Sequence, residues 1–325
     1  MLEGIVEKVF TPEHLDRLAA CGELLDRVPL SGFDDDRAAA LLGRAEIIVG
    51  HWGTPTLTAE VLERSPRLEM FAYAAGTVKW QVTDAVWDRD LLVTSAAAMN
   101  AVPVAEYTIA MILLSNKGVF RFREHCRNQS SPLPREMEKL GNFGKRVGVV
   151  GASFVGRKVI ELLHPYDLEV SVYDPYLSHV EAKELGVEKF EELDELCSAV
   201  DVLTLHAPDI EATRAMIGAA QLSLLRDGAT FINTARPALV DQIALEAELS
   251  SGRIDAVLDV ATPDPLPRDS LLLSLPNVFA TPHIAGASGN ELVRLAQLAV
   301  EEVERFTRGE PPLFRVCRED MSRIA

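Results

Sequence analysis

Three apolar runs in the second half of the chain end on side chains that could act together on a carbonyl group. Arg236 follows TFIN in NTARPALVD, Asp264 lies in DVATPDPLP after IDAVLDV, and His283 ends NVFATPHIAG. A guanidinium holds a carboxylate and polarises a carbonyl oxygen, an imidazole gives or takes a proton, and a carboxylate beside it favours the protonated ring. Carbonyl reduction with a nicotinamide asks these groups of a protein, because the cofactor itself carries the hydride. Singly, each has a plain explanation: a surface charge, a turn-former in a Pro-rich loop, a structural histidine next to proline. What sets them apart is their recurrence at strand ends, since open α/β sheets bind ligands beyond the carboxyl ends of their strands.

A place for the dinucleotide lies upstream. The run RVGVV leads into Gly151-Ala152-Ser153-Phe154-Val155-Gly156, a G-x-G-x-x-G turn with Ser153 at the middle position. The tight turn calls for Gly151, and close helix–strand packing calls for Gly156. A small residue between them lets a pyrophosphate approach the helix N-terminus, where the Ser153 hydroxyl could donate to a phosphate oxygen. Asp174 lies 18 residues past Gly156, at the end of the next apolar run. A carboxylate there accepts hydrogen bonds from ribose hydroxyls and repels a 2′-phosphate. No Arg or Lys follows in YDPYLS, so the pattern favours NAD over NADP. The alternative, an aspartate that only caps the turn into Pro175, stays open.

These groups need a sheet to hold them. Apolar runs at 46–50, 68–73 and 91–94 read as buried strands, and 34–42 and 58–64 between them read as helices. Residues 103–116 read as a helix with Pro103 in its first turn. The stretch 127–142 is polar and without periodicity. A second series has strands at 146–150, 168–174, 201–206, 230–233, 254–259 and 278–280, with helices at 154–163, 190–198 and 240–250. About six strands with helical crossovers make a doubly wound dinucleotide-binding sheet. An amphipathic helix at 290–308 returns to the first domain. The expected domains are therefore a discontinuous one, 1–102 plus 285–325, and an inserted cofactor domain, 103–284.

Composition narrows the partners. The chain of 325 residues carries 32 Lys+Arg against 49 Asp+Glu, a formal charge of −17. That balance argues against nucleic acid and against an anionic membrane surface. No run approaches 18 uninterrupted apolar residues, and MLEGIVEKVF lacks the basic segment and long apolar run of a secretory signal. Cys21, Cys126, Cys197 and Cys317 form no C-x-x-C pair, so they read as reduced thiols in a cytoplasmic protein without a bound metal.

The chain resembles the D-isomer-specific 2-hydroxyacid dehydrogenases over almost its whole length. The resemblance rests on VAEYTIAMIL (104–113), GVVGASFVGRKV (148–159), VYDPY (172–176), LHAP (205–208), INTARPALVDQIAL (232–245), LDVATPDPLP (258–267) and LPNVFATPHIAG (275–286). It implies an α/β fold with two Rossmann-like or flavodoxin-like parallel-sheet domains and an interdomain cleft. It also implies an NAD-dependent oxidoreductase that interconverts a small 2-oxo acid and its D-2-hydroxy acid. Arg236 would anchor the substrate and His283 would act as acid and base, paired with Asp264 where the family usually has the longer Glu. Pro237 stands where the family usually has Gly.

By the same resemblance, Phe154, Val155, Asp174, Pro208, Thr213, Thr234, Ala235 and Asp259 would contact the cofactor, Asp259 through the nicotinamide carboxamide. Gly76 and Thr77 would bind the substrate carboxylate through backbone N–H groups, with Asn100 lining the same cleft. His51 and Trp52 are either further pocket residues or a loop histidine and a packing tryptophan. The cofactor domains would pair as a homodimer through the crossover helix. The alternative reading is an NAD(H)-responsive binding scaffold or co-repressor. A formate dehydrogenase is disfavoured by Asp264, because that branch resembles Gln there.

Overall fold

The computed structural model describes Met1, Gly4 and residues 6–127 and 140–324, with 124–127 described along the backbone only. Most of the polar stretch at 127–142, and the side chain of Cys126, lie outside the described residues. Among those residues the strands are β1 (Ile47–Gly50), β2 (Met70–Tyr73), β3 (Leu92–Ser95), β4 (Lys145–Val150), β5 (Leu168–Tyr173), β6 (Glu188–Phe190), β7 (Val202–Leu205), β8 (Thr230–Asn233), β9 (Asp255–Leu258), β10 (Val278–Ala280) and β11 (Arg315–Val316). The chain divides into two compact units, Met1–Asn100 with Ala287–Ile324, and Ala101–Gly286.

In the first unit β1, β2 and β3 pair in parallel, and β11 closes the sheet antiparallel to β3. Side chains alternate across a strand, and β2 follows the rule. Met70 and Ala72 face a core with Leu295, Ala296 and Ala299 of the helix Leu292–Thr307, while Phe71 and Tyr73 face a second core with Leu57, Leu62 and Val86. β11 has no counterpart in the sequence reading. Two residues are too few to show any periodicity, and the strand exists because the chain leaves the Leu292–Thr307 helix alongside β3.

The second unit is a seven-stranded parallel sheet in the order β10-β9-β8-β7-β4-β5-β6. The chain starts at β4, winds outward through β5 and β6, then crosses back to β7 and on to β10. This is the doubly wound order with one added strand, and direction reverses between β4 and β7. Both faces are apolar, as a parallel sheet requires. Leu203, Leu205, Phe231 and Leu258 pack on one side, and Val147, Val149, Ile232 and Val257 on the other.

Two element boundaries move by more than two residues. The segment read as a helix from 190 begins at Leu193, because Glu188–Phe190 adds an edge strand to β5. The long helix spans Ala97–Asn116, which puts Pro103 in its interior instead of its first turn. The alanine-rich run 96–98 favours helix early, and the Ser95 hydroxyl accepts from the Ala97 N–H at 3.1 Å. By length and composition alone this helix could cross a membrane. Asn100, Glu106 and Thr108 interrupt it, and Ala105 and Ile112 pack into the core of the second unit.

One buried charge secures the C-terminal segment of the first unit. Glu302, 1% exposed, accepts the N–H groups of Leu313 at 3.0 Å and Phe314 at 3.2 Å. Phe314 in turn presents its carbonyl to the Ser95 N–H. Glu302→Ala leaves two amides without their acceptor and should cost about 2–3 kcal/mol in denaturant unfolding. Glu302→Gln, which keeps one acceptor oxygen, should cost less.

Candidate active site

Where the strand order reverses, the turns after β4 and β7 come within backbone contact. Gly151 has φ +96°, and a Cβ on it would lie 2.6 Å from the Ala207 nitrogen. A Cβ on Gly156 would lie 1.9 Å from the Gly151 carbonyl oxygen. Neither position has room for a side chain, which leaves the backbone bare at the start of the helix Phe154–Leu163. Unpaired N–H groups at such an end suit a phosphate. This is the cradle that a dinucleotide pyrophosphate fits.

The Ser153 hydroxyl does not serve as read from the sequence. It donates to the His206 carbonyl at 2.8 Å and accepts from the Gly156 N–H at 3.4 Å, so its one proton is committed inside the protein. Asp174 has a double duty as well. Its carboxylate accepts from Tyr176 N at 2.7 Å, capping its own turn, and from Ala152 N at 2.7 Å, bracing the glycine turn. Arg157 adds a second brace, donating to the Ala152 carbonyl at 3.0 Å and to Glu181 at 2.9 Å. The Ser178 N–H and hydroxyl, with Arg157, hold the Glu181 carboxyl down to about 2. Phe154 is exposed and Val155 half-buried at the helix start. The Thr213 hydroxyl donates to the Pro208 carbonyl at 2.5 Å and accepts from the Ile210 N–H at 3.2 Å, closing the loop after β7 on itself.

The groups with reactive side chains sit beyond β8, β9 and β10. After β8, Asn233 is buried, donates to the Arg236 carbonyl at 3.0 Å and accepts from the Ala235 N–H at 3.0 Å. That fixes the backbone from which the half-buried Arg236 projects, and Arg236 itself donates to the Ala235 carbonyl at 2.7 Å. Burial lowers the Arg236 pKa from its usual value, and the charge of Asp209 opposes this. After β9, Gln242 brackets Thr262, accepting its N–H at 2.6 Å and donating to its carbonyl. Two residues on, the Asp264 carboxylate meets His283 Nδ1 at 2.6 Å. With Nδ1 engaged, Nε2 of the half-exposed ring is left for chemistry.

Asp259 lies differently from the sequence expectation. It is 1% exposed, and its carboxylate accepts from Thr281 Oγ1 at 2.6 Å, Ile284 N at 2.8 Å and Ala285 N at 2.9 Å. Sequence reasoning missed Asn233 and Gln242 altogether. Their signal is weak: each is an amide close to Arg236, and amides of this kind commonly stay on the surface.

In the first unit the structure brings Gly76 and Asn100 together. A Cβ on Gly76 would lie 3.7 Å from Asn100 Nδ2, while Asn100 Oδ1 accepts from Ala287 N at 3.1 Å. The Thr77 hydroxyl accepts from the Lys79 N–H at 3.3 Å. His51 is fully buried, edge-on to Trp52 with centroids 4.6 Å apart, and among the described residues neither ring nitrogen has a hydrogen-bond partner. Cys197 is buried too, and burial pushes its thiol up to about 12.

Residues 109–285 match the family described as D-isomer specific 2-hydroxyacid dehydrogenase, NAD binding domain. A glyoxylate reductase of Korarchaeum cryptofilum is 33% identical over 264 residues, covering 80% of this chain and 79% of that protein. A D-3-phosphoglycerate dehydrogenase of Methanocaldococcus jannaschii is 29% identical over 304 residues, 93% of this chain but 57% of that protein. The chain thus spans little more than half the length of the phosphoglycerate dehydrogenases it matches. Among solved structures, a phosphoglycerate oxidoreductase from Rhizobium etli superposes with a TM-score of 0.83 at 26% identity, covering 97% of this chain and 95% of that one.

Burial holds His51 at about 4 and His206, beside the glycine turn, at about 3. In the unfolded chain both ionise near the usual histidine value of about 6.5. As pH falls below that value the unfolded state takes up protons that the folded state refuses, so stability should drop between about pH 6.5 and 4, by up to roughly 3 kcal/mol per histidine. Denaturant unfolding across this range should show the decline. His51→Phe, which removes a ring without hydrogen bonds, should take one proton from the slope.

Proposed function

The chain belongs to the D-isomer-specific 2-hydroxyacid dehydrogenase family, and on that footing we propose that it interconverts a small 2-oxo acid and the matching D-2-hydroxy acid with NAD(H). One observation carries the reading: the His283–Asp264 pair at 2.6 Å, which engages Nδ1 and leaves Nε2 as the other ring nitrogen. When bound, the dinucleotide supplies or takes up the hydride. The residues that would hold it are the turn from Gly151 to Gly156, Asp174, Pro208, Thr213, Thr234 and Ala235. The Asp174 carboxylate repels a 2′-phosphate, which favours NAD over NADP.

In the reducing direction, protonated His283 donates from Nε2 to the 2-oxo oxygen as that oxygen gains charge; in the oxidising direction Nε2 takes the hydroxyl proton. Asp264 keeps Nδ1–H in place throughout and so fixes the tautomer. Arg236 holds the substrate carboxylate and polarises the carbonyl, and its partial burial strengthens both interactions. In the first unit, the turn at Gly76 and Thr77, with Asn100 beside it, is the proposed substrate contact. The working form is a cytoplasmic homodimer paired through the helix Ala97–Asn116, which a solution mass of twice the chain would support.

The test is oxidation of NADH and of NADPH with hydroxypyruvate, glyoxylate, pyruvate and phenylpyruvate. Turnover of at least one acid, faster with NADH, is expected. Tight NADH binding without turnover of any acid would sink the enzymatic reading and leave a scaffold. His283→Ala should lower kcat by about 10²–10⁴-fold while leaving NADH affinity within about twofold. Near-normal kcat in that variant would remove His283 from the mechanism.

A further inference from the structure

Tyr107 and Thr108 are adjacent on the helix Ala97–Asn116, and each reaches a loop that carries a reactive group. The Tyr107 hydroxyl lies 2.7 Å from Thr281 Oγ1, and Thr108 Oγ1 lies 3.0 Å from Thr234 Oγ1. Proton accounting orients both contacts. Thr281 has one hydroxyl proton, and it goes to Asp259 at 2.6 Å. Its oxygen must therefore accept, so Tyr107 donates. Thr108 gives its proton to the Val104 carbonyl at 2.7 Å, so Thr234 donates to Thr108.

The result is a directed chain, Tyr107 to Thr281 to Asp259. Its end point is a carboxylate that also takes the N–H groups of Ile284 and Ala285, while the Asp259 carbonyl takes the N–H of His283 at 2.9 Å. His283 is thus gripped on both sides, and it is held at φ +56°, a left-handed conformation that a non-glycine residue keeps only when its surroundings impose it. We infer that Tyr107 is a positioning residue for His283, acting through Thr281 and Asp259 on the turn 281–285. The inference rests on the reading of His283 as the acid–base group. Tyr107 touches no reacting atom. It orders the acceptor side of Thr281, which frees the hydroxyl proton for Asp259 alone and stiffens the turn from below.

Tyr107→Phe deletes only the donor. In this variant kcat for the best 2-oxo acid should fall about fivefold, the loss of one hydrogen bond, with KM for NADH unchanged. Amide exchange at Ile284 and Ala285 should quicken by a similar factor, and it is read without any turnover. Thr281→Val should be slower still, and Thr281→Ser should restore most of the rate. The double variant Tyr107→Phe/Thr281→Val should be no slower than Thr281→Val, because both members act through one chain. Wild-type kcat and exchange in Tyr107→Phe, or strictly additive losses in the double variant, would overturn the proposal. A wild-type protein that turns over no acid would instead overturn the enzymatic reading, and the exchange data would still decide what Tyr107 does.

Discussion

A carboxylate removed from water must be met by donors, because an uncompensated buried charge costs several kcal/mol. Asp259 imposes that demand at the end of β9, where it is 1% exposed. The chain answers by folding the segment after β10 back over it, so that a hydroxyl and two amide groups point at its oxygens. A turn that places consecutive N–H groups on one carboxylate has little conformational choice, and His283 takes up the resulting left-handed geometry. The imidazole is then presented to Asp264 from a fixed base. The position of the His283 ring is thus a consequence of satisfying a buried charge one strand away.

The other strand ends are built by the same means. Asn233 ties the loop under Arg236, Gln242 brackets the loop under Asp264, Ser153 links the glycine turn to the chain after β7, and Asp174 braces that turn from the β5 side. In each case a polar side chain near the carboxyl edge of the sheet satisfies backbone groups that a loop would otherwise leave open. A parallel sheet leaves such groups at every strand end, and converting them into fixed loops is how this architecture places side chains from distant parts of the sequence side by side. Rigidity here comes from short hydrogen bonds to backbone, and the apolar core below supplies only the platform.

Period and punctuation revealed the platform. The runs at 146–150 and 230–233 and the helix 154–163 match the strands and helix observed. The glycine turn was legible because Gly151 and Gly156 answer to steric needs that no other residue meets. Three-residue β6 and two-residue β11 fall below the length at which alternation can be seen, and alanines upstream of Pro103 started a helix earlier than the proline suggested. The internal commitment of the Ser153 proton could not be read, because its acceptor, the His206 carbonyl, is 53 residues away. The link from Tyr107 to Thr281 spans 174 residues. Neither contact leaves a local pattern, since hydrogen-bond direction depends on which neighbours have already used their protons.

The overall charge of −17 has to be reconciled with a site proposed to take anions. A dinucleotide and a 2-oxo acid both carry negative charge, so the field of the whole protein at long range opposes their approach. Solvent screens that repulsion over about 8–10 Å at physiological ionic strength, whereas a half-buried guanidinium and the N–H groups of a helix start act at contact. Arg236 gains from its surroundings in this respect. Burial raises the worth of each hydrogen bond it can make to a carboxylate, and Asp209 supports its charged form. Asp174 keeps its negative charge while accepting the Ala152 and Tyr176 amides, so it braces the glycine turn without being neutralised. On the proposed function, attraction is therefore local and geometric, and the acidic surface outside the site takes no part in it.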